Sequence, residues 1–118
     1  MTVSDSFLDY LIDQLSGFRD VSARKMFGGA GLYCDGKVFA FVADDMVYFK
    51  VDDTNREKYV KAGSKPFQPF PDKPTLMSYF EIPADVLEDS DELIKWADES
   101  LSIQKLGVKS QFIHINKL

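Results

Sequence analysis

The sequence predicts an α+β domain, an antiparallel sheet with helices packed on one face. Three observations carry this expectation. Apolar residues recur at three- and four-residue spacing near both ends of the chain, whereas the middle alternates or runs apolar over short stretches. An Asp-Gly pair, Asp35–Gly36, joins two of those short runs and is a strong hairpin signal. The strand-like runs also follow one another without regular helix alternation, which argues against a parallel sheet.

Residues 5–16 read as an amphipathic helix. Phe7, Leu8, Leu11, Ile12 and Leu15 share one face and Asp5, Asp9 and Asp13 the other. Ser4 or Ser6 caps its start and Gly17 suits its stop. Residues 23–34 read as one strand running through the glycines, followed by the Asp35–Gly36 turn and a nearly all-apolar strand at 38–43. Strict alternation there sends Val38, Ala40 and Val42 to one face and Phe39, Phe41 and Ala43 to the other. Asp44 and Asp45 turn the chain into a third strand at 47–51, completing a three-stranded meander.

A second helix follows, with Thr54 and Glu57 in capping-box spacing and Gly63 at its end. Residues 64–70 alternate but carry Pro66 and Pro69, the mark of an edge strand or an extended arm. Residues 76–82 read as a strand with Leu76, Ser78, Phe80 and Ile82 on one face, stopped by Pro83. A last helix covers roughly 90–105, capped by Ser90, with Leu93, Ile94, Ala97 and Leu101 along one side and Trp96 at the flank. Beyond Gly107 the run Phe112–Ile115 reads as a short strand or as part of a mobile tail. The order is therefore α-β(3)-α-β(2)-α in two layers, with one domain at 1–107 and a C-terminal tail at 108–118.

Composition narrows the function. The chain is 118 residues long and 45% hydrophobic, enough for one packed core. Its net charge of −5 is uneven, with the acidic excess concentrated in 72–100 and a basic excess in 101–118. An acidic domain gains little from counterion release on DNA, so strong direct nucleic-acid binding is not expected. The single cysteine, Cys34, cannot make an intrachain disulfide and fits a reducing, cytoplasmic setting. The N-terminal residues lack the pattern of a signal peptide, and no apolar run is long enough to span a bilayer, so no membrane association is expected.

The densest motif is the glycine cluster Gly28, Gly29, Gly31 and Gly36. A phosphate loop needs glycines that end a strand and open a helix, so that free backbone N–H groups meet the anion. Here they lead into a strand and a hairpin, so the four glycines read as structural, permitting a bend or close packing. Cys34 and His114 are a remote pair for nucleophilic catalysis, and one His with one Cys does not make a tetrahedral zinc site. The pairs Asp44–Asp45 and Asp52–Asp53 sit at turns and caps rather than at an acid–base centre. No cofactor or metal is expected. Arg56, Lys58, Lys61 and Lys65 form a basic patch around the second helix, and Phe67 and Phe70 stand among prolines beside it. Arg56, Lys61, Lys65, Phe67 and Phe70 are the candidate partner surface, while packing of the two aromatics over the sheet is favoured over a partner-binding arm.

The run from Arg24 to Asp53, beginning RKMFGGAGLYCDGK, resembles the N-terminal domain of the TfoX/Sxy family. So do KPFQPF at 65–70, LMSYFEIPADVLED at 76–89 and the helix beginning DELIKWADESL at 91. The resemblance covers about residues 10 to 105. It implies a two-layer fold shared with secretion-chaperone-like proteins and a role in the regulation of natural competence. A full-length family member resembles a coactivator working with the cyclic-AMP receptor protein and carries a second, helical C-terminal domain. This sequence is expected to be the N-terminal domain standing alone. The family implies no catalytic residue.

The expectation is a non-enzymatic, cytoplasmic interaction domain that acts through protein contacts. Two other readings stand beside it. One is a small-ligand-binding or thiol enzyme using the Gly28–Gly31 bend and Cys34, and the other is an acidic chaperone-like dimer. The 38–43 strand is apolar on both faces, so the second face is covered either by the 66–71 arm and the tail or by a second copy in a homodimer.

Overall fold

The computed structural model describes residues 3–26, 28–67 and 76–116, with the backbone alone at 76–77 and 104–116. Helix α1 (Asp5–Gln14) comes first, then strands β1 (Ser22–Met26), β2 (Gly29–Cys34), β3 (Lys37–Ala43) and β4 (Met46–Lys50). Helix α2 (Arg56–Lys61), strands β5 (Pro66–Phe67) and β6 (Leu76–Glu81), and helices α3 (Ala84–Leu87) and α4 (Ser90–Asn116) complete the described chain. The six strands form one antiparallel sheet in the order β1-β2-β3-β4-β6-β5. The α+β class and the antiparallel sheet are as the sequence predicts.

The element count differs, for local reasons. The stretch expected as one strand at 23–34 is a hairpin. Gly28 takes φ +82°, a turn conformation that L-residues resist, and Met26 pairs back onto Gly29. The meander therefore has four strands. Helix α4 continues through Gly107 to Asn116, so the expected stop near 105 and the short strand at 112–115 do not occur. Thr54 does not form a capping box. Its hydroxyl donates to Asp52 Oδ1 at 2.5 Å, and the α2 N-cap is Asn55, which makes no side-chain cap bond. At α4 the cap is Asp89 rather than Ser90, because Asp89 Oδ1 accepts from the Glu92 N–H. Ser4 does cap α1, accepting from the Phe7 N–H at 3.2 Å.

One irregularity decides how β3 serves both faces. Leu32 pairs with Ala40 but Tyr33 pairs with Val38, so Phe39 is an extra residue on β3, a β-bulge. The bulge breaks the expected alternation. Phe39 joins Ala40 and Val42 in the helix-side core, and Phe41 and Ala43 lie on the other face. On the helix side, α1 with its C-cap Leu15 and α4 supply Leu8, Leu11, Leu15, Leu93, Ala97 and Leu101 against Leu32, Phe49 and Phe80. The T-shaped pair Phe39–Phe49, with centroids 5.6 Å apart, fills the middle.

Candidate functional site

The second sheet face is aromatic. Phe67 of β5 reaches back over the sheet and stacks on Phe41 at 6.1 Å and on Tyr48 at 4.6 Å, while Tyr79 meets Phe41 at 4.9 Å. Phe67, Tyr79 and Ala43 are buried, and Phe41 and Tyr48 are half-buried. Phe67 is thus a cover for the sheet and is corrected as an exposed partner contact, being 7% exposed. This two-residue strand begins with Pro66, whose fixed φ suits an extended chain, and pairs along β6. Phe70 lies outside the described residues. Burial pushes the Tyr79 hydroxyl up to about 12, with Tyr33 adding to the shift. Lys50 lies 5.2 Å from the Tyr79 ring centre, and its burial lowers its pKa against the pull of Asp52.

The basic patch is assembled by α2, but its charges are answered within the chain. Arg56 pairs with Asp53, Lys58 with Glu99 of α4, and Lys61 with Glu57 at 3.0 Å. Lys65 is exposed, and its backbone carbonyl accepts the Glu81 N–H at 2.9 Å. Thr54, Asn55, Glu57, Lys58, Lys61 and Glu99 line an open cleft of about 260 Å³ between α2 and α4. Lys58 also sits 4.3 Å over the Trp96 ring, so it is held by a carboxylate and an aromatic at once.

Beneath that cleft is a polar node that the sequence did not reveal. Ser100 of α4, fully buried, donates to the Lys50 carbonyl at 2.7 Å. Asn55 donates to the same carbonyl at 3.3 Å and accepts the Asp52 N–H at 2.9 Å. Ser100 directs its O–H at the Lys50 carbonyl, and the neighbouring Tyr59 hydroxyl, also buried, lies near Ser100 without a well-formed hydrogen bond. Burial pushes the Tyr59 hydroxyl well above its ordinary value, the Ser100 hydroxyl working against the shift and Glu99 with it. The signal for this node is a serine on the apolar stripe of α4, one residue before Leu101.

The glycines sit in a hairpin and a strand. Gly28 makes the β1–β2 turn, Gly29 packs against the Val42 carbonyl, Gly31 is hemmed by Met26, Tyr33 and Val38, and Gly36 takes φ +76° beside Asp35 in the next turn. No helix opens from them, so their N–H groups are not arranged as at a helix N-terminus. Cys34 points into the helix-side core at 2% exposure, away from any substrate approach. Among the described residues no group of three His, Cys, Asp or Glu is placed to hold a metal ion, and no helix is long and apolar enough to cross a membrane.

At the sheet's other end, β1 is an edge strand, paired only with β2 among the described strands and exposed from Ser22 to Lys25. Arg24 turns to the aromatic face, 5.4 Å from the Tyr33 ring centre. Lys25 turns to the helix side and pairs with Asp5 at 2.5 Å.

A six-stranded antiparallel sheet with one helical face, one aromatic face and a basic patch whose Arg56, Lys58 and Lys61 are paired within the chain defines a small α+β domain. The chain belongs to the TfoX N-terminal domain family, whose profile matches residues 13–103. The match spans every strand, α2, α3 and α4 as far as residue 103, and takes in only the end of α1. The family is known as a regulatory domain linked to competence. No curated protein matched the sequence.

Proposed function

We propose that this domain is a non-enzymatic accessory of transcription regulation, acting in the cytoplasm through contacts with another protein. The family match across the whole sheet carries the reading, since it ties the folded unit itself to a regulatory family. The partner proposed by family resemblance is a transcription factor such as the cyclic-AMP receptor protein. The placement of Cys34 in the core weakens the thiol-enzyme alternative, because a nucleophile needs both access and a base.

The test is direct. Purified chain and purified cyclic-AMP receptor protein, with cyclic AMP, are run together in sedimentation velocity with and without promoter DNA. A complex at micromolar concentration supports the reading. Two independent boundaries in both conditions overturn that partner, and turnover of a thiol-reactive substrate abolished by Cys34→Ser would overturn the non-enzymatic reading.

A further inference from the structure

We infer that the β1 edge, Ser22–Met26, docks an extended acidic segment of a partner, which adds to the sheet as a further strand. This rests on the protein-contact reading above and names the surface for it. A sheet edge presents a row of backbone N–H and C=O groups with no strand to bond them, and proteins usually shorten, bend or cover such an edge. At the opposite end of this sheet the edge strand β5 is two residues long and follows Lys65. At β1 the strand runs five residues in unbroken register with β2, from Ser22↔Tyr33 to Met26↔Gly29. Ser22, Ala23, Arg24 and Lys25 are all exposed.

The charge on β1 selects the occupant. Arg24 and Lys25 are adjacent, so they flank the edge on its two faces. A second copy pairing antiparallel through β1 would set these cations against their own kind, which destabilises a strand pair. A segment with carboxylates at neighbouring positions meets both. Arg24 has no ion pair among the described residues. The Lys25–Asp5 pair is exposed on both sides, so exchanging Asp5 for a partner's carboxylate costs little. Of the nearby acids, Asp35 is engaged by Arg19 at 3.3 Å. At physiological salt charges beyond about 8 Å are screened, so the local pair outweighs the net charge of the chain. Backbone bonds would supply the affinity and the two carboxylates the selection.

The experiment uses the whole chain and a probe peptide. Amide hydrogen exchange across Ser22–Met26 is followed by NMR with a blocked hexapeptide carrying two adjacent glutamates between valines, its counterpart with two adjacent lysines, and the glutamate peptide N-methylated at alternate residues. The glutamate peptide is expected to slow exchange of the outward β1 amides on the order of 10-fold, as closing an edge does. The lysine and N-methylated peptides should leave them unchanged. The double variant Arg24→Glu, Lys25→Glu, both exposed and so tolerated by the fold, should reverse the preference to the lysine peptide. Equal protection by both charged peptides, protection away from β1, or none at millimolar peptide overturns the assignment. If the receptor protein binds but the glutamate peptide protects nothing, the edge assignment falls and the protein-contact reading stands. If the peptide protects β1 and the receptor does not bind, the edge stands and that partner falls.

Discussion

Gly29 lies with its α-carbon turned onto the backbone carbonyl of Val42, so close that a β-carbon there would collide with the oxygen. The obstacle is backbone inside a sheet, which does not move aside. Two residues on, a β-carbon at Gly31 would meet Met26 Cε and Tyr33 Cε1 at 3.1 Å and Val38 Cγ2 at 3.3 Å. These are side-chain atoms, two of them at the ends of longer chains. Gly29→Ala is therefore expected to cost about 2–3 kcal/mol and Gly31→Ala about 1 kcal/mol, by the usual cost of overpacking. Urea unfolding of the two variants checks the order. Equal losses would show that the Val42 contact is not the constraint.

Phe67 makes the second prediction. It lies over Phe41 and Tyr48, closing the face that a homodimer would otherwise cover. Wild type is expected to sediment as a monomer of 13.4 kDa without concentration dependence. Phe67→Ala removes a buried ring and should cost about 2–4 kcal/mol. It should also raise binding of a hydrophobic dye and let the uncovered face self-associate. A wild-type dimer at micromolar concentration would show that the face needs a second copy even with Phe67 in place.

Much of this was legible before the structure. Turns built on Asp-Gly and Asp-Asp were readable because their side chains favour the left-handed backbone that Asp35, Asp44 and Asp45 adopt. The β1–β2 turn was not, because its single glycine in that conformation, Gly28, stands in a cluster that reads equally well as a flexible strand. The bulge at Phe39 was invisible for another reason. In a run apolar at every position, a one-residue shift of face leaves the pattern unchanged. The basic patch was legible as a cluster of like charges. Its neutralisation by Asp53, Glu57 and Glu99 was only partly so, since Glu99 comes from α4, far along the chain.

Asp45 gives a third prediction. Its carboxylate accepts the Ser4 N–H at 3.0 Å and the Ser4 hydroxyl, tying the β3–β4 turn to the N-cap of α1. It does so from φ +58°, which costs an L-residue about 1 kcal/mol. Asp45→Ala loses the hydrogen bonds and keeps the backbone cost, so it should lower stability by about 1–2 kcal/mol. Asp45→Gly loses the same bonds but relieves the backbone, and should be the milder change. Amide exchange in the first turn of α1 should quicken in both. Greater damage from glycine than from alanine would show that the turn conformation carries no cost here.

The last prediction concerns alkaline pH. Burial holds the Tyr79 hydroxyl up to about 12, against an ordinary value of 10.0, and holds Tyr59 higher still. For an acid whose folded pKa is raised, the unfolded chain ionises first. Above pH 10 the folded state therefore binds more protons than the unfolded one, and stability falls as pH rises. The contribution is fully present below about pH 10 and is lost as pH climbs toward 12 for Tyr79, and further for Tyr59. Chemical denaturation between pH 8 and pH 12 should show this limb. Tyr79→Phe should flatten the limb while costing little at neutral pH, because the buried ring and its contact with Phe41 are kept. Tyr59→Phe should flatten it too, and should be neutral or stabilising near pH 7, since the hydroxyl it removes is buried without a hydrogen bond. A steep loss at pH 7 in Tyr59→Phe would show that the hydroxyl does bond Ser100 and that the node at Lys50 depends on it.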